Sequence, residues 1–204
     1  MLPVAVFAWV ASQHQDVAEF FPLKTGTTWT YQDEAGATAQ TFIDSVGNEQ
    51  KIGDETATPI VTKFNGQIDG STFYRIDGDT VFVVAFDQNK PLAAPYPIVK
   101  YGSGKNTWDF KGVTQWLGAD APLSVKGSCK KVGDKELFGS KHQMIEVVLD
   151  AVIGPSGASG IKSHQVSHYA SGIGLVDLKD TTTINKTKSQ RTRTLVSFKA
   201  GETQ

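Results

Sequence analysis

From Thr27 onward the chain runs in short segments rich in Thr, Val, Ile, Phe and Tyr, broken by Gly, Asp and Asn. That is the pattern of many antiparallel strands. Gln143–Asp150 alternates Ile145, Val147 and Leu149 against Glu146 and Asp150, which predicts a strand with one wet face. In Val81–Phe86 both alternating sets are apolar, so that strand is expected to be covered on each side. Strands are predicted near Thr27–Gln32, Thr38–Ser45, Ile60–Phe64, Thr72–Ile76, Thr80–Phe86, Ile98–Tyr101, Thr107–Phe110, Leu123–Lys130, Gln143–Ala151, Lys162–Ala170, Leu175–Lys179 and Arg193–Phe198. Helical periodicity is confined to the start. There Ser12-Gln13-His14-Gln15 matches a capping box, and Val17, Phe20 and Phe21 fall near one face of a short helix that ends before Pro22.

The turns are the sharpest local signals. Asn65-Gly66 tolerates two positive φ values, and Asp77-Gly78-Asp79 joins two β-rich runs, so both predict tight reversals. Ser171-Gly172-Ile173-Gly174 predicts a third, and Gly102-Ser103-Gly104-Lys105 reads as a hairpin turn between Tyr101 and Trp108. Pro91, Pro95 and Pro97 make Lys90–Pro97 a loop on this reading, and Pro155–Gly160 is a second excursion. A dozen strands cannot stay flat, because strand twist accumulates. The fold class is therefore all-β: an antiparallel meander forming a strongly curved sheet, with a half-barrel, a closed barrel and a sandwich as its forms, and at most one short N-terminal helix.

Composition narrows the function. The 204 residues carry 20 basic and 21 acidic side chains, for a net charge of -1, which argues against nucleic acid as a partner. One cysteine excludes a disulfide scaffold and Cys-rich zinc modules. Leu2–Ala11 is an uncharged apolar run of signal-sequence length, with small residues at Val10-Ala11-Ser12, although no Lys or Arg precedes it. Residues 1–12 are thus expected to be a signal or apolar N-terminal segment and 13–204 a single β domain that is exported to the periplasm, cell envelope or medium. The run is too short to span a bilayer, and no second stretch approaches the length that would.

Phe21-Pro22-Leu23-Lys24-Thr25-Gly26-Thr27-Thr28-Trp29-Thr30-Tyr31 resembles the opening of a group of uncharacterised bacterial exported and lipoprotein β domains. Lys131-Val132-Gly133-Asp134 through His142 is similar to their middle strand and turn, without its usual Pro-Ala-Gly-x-Phe sequence. Tyr169-Ala170-Ser171-Gly172-Ile173-Gly174-Leu175-Val176 resembles their late hairpin. The group in turn resembles the half-barrel of periplasmic lipoprotein carriers. The resemblance implies an envelope location and a hydrophobic ligand on a concave sheet, and it supplies no catalytic residues. Those carriers line the concavity with helices, for which this chain has little sequence.

Catalytic signals are sparse. No nucleophile elbow, phosphate-binding loop, dinucleotide fingerprint or His-Glu-x-x-His occurs, so no cofactor is expected. His164 and His168, four apart on a strand, stand about 13 Å apart, too far to share one zinc, and read as solvent-facing. Asp33-Glu34 and Asp77/Asp79 flank glycines, where acidic residues serve local hydrogen bonds. Cys129 beside Lys130 and Lys131 is either a lowered-pKa thiol or inert packing, the latter being the commoner case. Lys186, Lys188, Arg191, Arg193 and Lys199 read as a solvated basic face. The suggestive cluster is aromatic: Tyr96, Tyr101, Trp108, Phe110 and Trp116 are the candidate ligand-binding residues, whose rings can stack on lipid chains or sugars. The function expected is a non-enzymatic exported domain binding a lipid-like or glycan ligand on a curved sheet. The alternatives are a structural or adhesive module that binds a protein partner through a sheet edge, and a hydrolase with paired carboxylates.

Overall fold

The computed structural model describes residues 16–35, 38–116, 119–154 and 160–201. The apolar run Leu2–Ala11, the Ser12–Gln15 capping box and residues 155–159 of the second excursion lie outside them. Asp16 caps the helix, its side chain accepting from Ala18 N at 3.1 Å, and α1 (Val17–Phe20) stops before Pro22. All else that is regular is strand: β1 (Thr28–Ala35), β2 (Thr38–Val46), β3 (Gln50–Ile52), β4 (Glu55–Phe64), β5 (Gln67–Asp77), β6 (Thr80–Asp87), β7 (Lys90–Lys100), β8 (Thr107–Trp116), β9 (Ala119–Leu137), β10 (Ser140–Ile153), β11 (Ile161–Ala170), β12 (Gly174–Ile184) and β13 (Thr187–Lys199).

Twelve of these strands form one antiparallel path, β7-β6-β5-β4-β2-β1-β13-β12-β11-β10-β9-β8, with β3 pairing β4 off it. The continuous ladder excludes a two-sheet sandwich. The sheet curls until its two edge strands, β7 and β8, lie side by side, which makes a nearly closed barrel with one unsealed seam. The predicted reversals occur where expected: Asn65 and Gly66 take φ of 50° and 78°, and Gly78 and Gly172 are also left-handed.

Two readings are corrected. Lys90–Pro97 is not a loop but most of β7. The ladder tolerates Pro91, Pro95 and Pro97 because β7 is an edge strand, where a missing N–H need break no bond. Residues 101–106 are not a hairpin turn either. They cross the seam between strands that share no ladder, closed locally by Gly102 N donating to Asn106 Oδ1 at 3.1 Å.

The core forms where the barrel's inner face meets α1. Val17, Phe20 and Phe21 pack against Val81, Val99, Cys129, Ile145, Val147 and Tyr169, drawn from β6, β7, β9, β10 and β11. Burying Phe20 completely contributes on the order of 2–3 kcal/mol. Gly172 N donates to Glu19 O at 2.6 Å, which ties α1 to the β11–β12 turn. The short β3 explains the doubly apolar β6: Val81 belongs to the cluster around α1, whereas Val84 packs in a second one with Ile52, Ala57, Phe73 and Ala85. On β10, Ile145 and Val147 are buried, and the outward Glu146 bonds Lys130 at 2.8 Å.

Candidate functional site: the barrel lumen

Period-two alternation on β1 turns Trp29, Tyr31 and Asp33 inward, and all three are buried. Opposite Asp33 in the ladder stands Arg193 of β13. Its Nε donates to Asp33 Oδ1 at 2.7 Å, Nη2 to Asp33 Oδ2 at 3.0 Å and Nη1 to Asp44 Oδ2 at 3.1 Å. Arg191, two residues earlier, adds Nε to Asp33 Oδ2 at 2.9 Å and Nη2 to the same oxygen. The Arg193 guanidinium also lies 5.0 Å from the Tyr31 ring centre and 5.5 Å from that of Phe42, within cation–π range. Burial works against its charge, yet the Asp33 hydrogen bonds and the two carboxylates raise its pKa above the ordinary arginine value.

Asp44 is the unbalanced member. It is 8% exposed, and only its Oδ2 receives the Arg193 bond. Oδ1 is buried with no donor in hydrogen-bonding geometry, while the Thr62 side chain, polar toward the carboxyl, favours its charged form. Burial pushes the Asp44 carboxyl above the usual carboxylate range, against the pull of Arg193.

This network divides the lumen. Toward α1 lies an inner chamber of about 310 Å³, walled by Phe21, Trp29, Ile60, Tyr74, Tyr96, Ile98, Tyr169 and Leu175, with Asp44 and Arg193 among its few charged groups. Toward the β1–β2 and β4–β5 hairpins lies a wider, more polar chamber of about 880 Å³, lined by Asp33, Gln40, Phe42, Asp69, Ser71, Asp180 and Arg191 among others. Thr62, Thr72, Phe86, Gln165, Leu178 and Arg193 border both, so the two spaces are adjacent. The inner chamber's polar wall atoms are partly used: Trp29 Nε1 donates to Ile173 O at 2.5 Å and the Tyr31 hydroxyl to Leu175 O at 3.0 Å. Burial and the Asp44 charge push the Tyr74 phenol up to about 12, and burial raises Tyr96 and Tyr169 as well. The chamber therefore presents neutral phenols at physiological pH.

Of the five predicted aromatics, Tyr96 alone lines the inner chamber. Tyr101 meets Phe20 edge-on, with ring centres 5.1 Å apart. Trp108 and Phe110 stand on β8 and bridge the seam: Trp108 Nε1 donates to Pro97 O at 3.2 Å, and Phe110 lies 6.0 Å from Tyr96. Trp116, 38% exposed, is at the far end of β8. The basic-face reading is corrected for Arg191 and Arg193, whose alternation on β13 turns them to the lumen; the Arg193 side chain is only 13% exposed. Asp33 likewise serves the network rather than a local turn. The inward sets Trp29/Tyr31/Asp33 and Arg191/Arg193 were visible as alternation in the sequence, but their pairing depends on β1 meeting β13.

Outside the barrel, His164 and His168 have separate carboxylates. His164 Nδ1 lies 2.7 Å from Asp150, and His168 Nδ1 lies 2.6 Å from Asp177. No group of residues suited to a metal occurs among the described residues. Cys129 is buried, and burial followed by the Glu146 charge pushes its thiol to about 12, so it packs rather than reacts. No helix among the described residues is long and apolar enough to cross a membrane.

No family model matches the chain, and no curated protein matches it. Two solved structures are similar in shape. A protein of Bacteroides fragilis described as a "putative exported protein with YmcC-like fold" is 12% identical, with a TM-score of 0.44 over 89% of this chain and 99% of that one. A "putative lipoprotein" of Parabacteroides distasonis is 13% identical, with a TM-score of 0.56 over 91% of this chain and all of that one. The fold of this chain is thus shared, almost end to end, with that Parabacteroides protein: an antiparallel, nearly closed barrel of the kind the opening and late-hairpin motifs resemble.

Proposed function

We propose that this chain is a non-enzymatic, exported binding domain that takes a lipid-like amphiphile into its barrel. The observation that carries the reading is the inner chamber: a space of about 310 Å³, walled mainly by aromatic and aliphatic side chains, with its charged groups gathered where it meets the wider chamber. That volume is at the lower end of small-ligand pockets, and the segregation of apolar wall from polar end matches a molecule with a tail and a head. A glycan fits less well, since it would need polar partners along its whole length. Export is supported by the apolar Leu2–Ala11 run and by the description attached to the Parabacteroides structure. Binding of a protein strand at the seam has less support, because prolines and cross-seam side chains occupy that edge.

The test uses 1-N-phenylnaphthylamine, a neutral fluorophore that brightens in apolar surroundings. Saturable binding at one site per chain is expected, weakened at least tenfold by Ile60→Trp, which fills the chamber from its wall. Failure of the folded protein to bind the fluorophore, together with native mass spectra of protein from its own host that show only the bare chain, would overturn the proposal.

A further inference from the structure

We infer that the lumen selects an amphiphile whose polar end donates hydrogen bonds, a hydroxyl or a protonated amine, and disfavours carboxylate and phosphate heads; this rests on the amphiphile reading above. The geometry is that of an acceptor left over. Asp44 is buried, borders the inner chamber and keeps Oδ1 without a donor in hydrogen-bonding geometry, so a group entering from the chamber can complete it. A buried, unsatisfied carboxylate oxygen costs free energy that a donor from the ligand restores.

The cations are already matched by carboxylates of the fold, which leaves little positive charge for an anionic head. Each of the three Arg193 guanidinium nitrogens already donates to Asp33 or Asp44. Arg191 has Nε and Nη2 on Asp33 and borders only the outer chamber. A carboxylate brought to the N–H groups that Arg193 has left would sit beside Asp44, like charge against like in a medium that screens poorly. The phenols of Tyr74 and Tyr96 add neutral polar groups to the same chamber, and among the described residues no lysine lines it.

Displacement of phenylnaphthylamine by decanol, decylamine and decanoate, each below its micelle or solubility limit, separates the cases. Decanol and decylamine are expected to displace the fluorophore at concentrations at least tenfold lower than decanoate, and Asp44→Asn should shrink the decylamine-to-decanoate ratio at least fivefold. The three-head order in the unaltered protein stands as a test whether or not the variant folds. Decanoate equal to or better than the other two, or a ratio unmoved in folded Asp44→Asn, would overturn the head-group inference and leave the amphiphile reading intact. Displacement by none of the three would overturn both.

Discussion

A carboxylate taken out of water needs both of its oxygens satisfied, and the lumen treats its two unequally. Asp33 collects hydrogen bonds from two arginines, whereas Asp44 shares Arg193 and keeps one bare oxygen. The phenols around them are governed by burial. All five tyrosines, Tyr31, Tyr74, Tyr96, Tyr101 and Tyr169, are raised above the ordinary value near 10, with Tyr74 at about 12. The raised value means that the fold favours neutral phenol. This stabilisation is fully present below about pH 10, where the phenols of the unfolded chain are also neutral, and is lost as pH rises toward 12. The urea midpoint should therefore fall steadily above pH 10, and phenolate absorbance of the native protein should lag that of the urea-unfolded chain. Superimposable titration curves would contradict the burial assigned to these rings. Arg193 shows the limit of sequence reading at this scale: its residue type and alternation are plain, but nothing local tells that its neighbour across the ladder is Asp33, 160 positions away.

At the scale of elements, local signals were accurate wherever sterics alone decide. Asn65-Gly66 reverses the chain as its left-handed tolerance requires, and β10 presents the alternation it spells out. Proline was misjudged in β7 because its effect depends on whether a strand has a neighbour on both sides, which is not a local property. The same edge position explains how the seam is held. With no ladder between β7 and β8, the contacts are made by side chains: Trp108 to Pro97 O, Gln115 Nε2 to Lys90 O at 3.3 Å, and the Tyr96–Phe110 ring pair. Trp108 can lie over β9 because its direct ladder partner is Gly127, where a methyl group would fall inside the indole ring. Gly127→Ala should cost about 1–3 kcal/mol in urea unfolding, the usual penalty for overpacking. In a Trp108→Ala background the same change should be nearly neutral. Equal costs in both backgrounds would show that the ring does not depend on that glycine.

For the molecule as a whole, β1 and β13 pair in the middle of the sheet, while β7 and β8, adjacent in sequence, form its two unpaired edges. The barrel is therefore closed by contacts between distant parts of the chain and left open between neighbouring ones. A curved all-β meander was legible from strand number and twist, but the position of the seam was not, since it follows from which pair of edges lacks a ladder. Backbone groups bonded on both sides should open only with large-scale unfolding, and those at a single-sided edge by local fraying. Hydrogen exchange followed by mass spectrometry should accordingly find Lys90–Lys100 and Thr107–Trp116 exchanging first among the strands on the barrel path, and the β1–β13 pair among the last. A ligand that fills the inner chamber touches Tyr96 and Ile98 on β7 as well as Trp29 and Tyr31 on β1, so its binding should slow exchange in β7 more than in any strand already protected. If β1 and β13 exchanged ahead of the seam strands, the barrel would be weakest where distant segments join, and the single-sided edges would not be what sets its local stability.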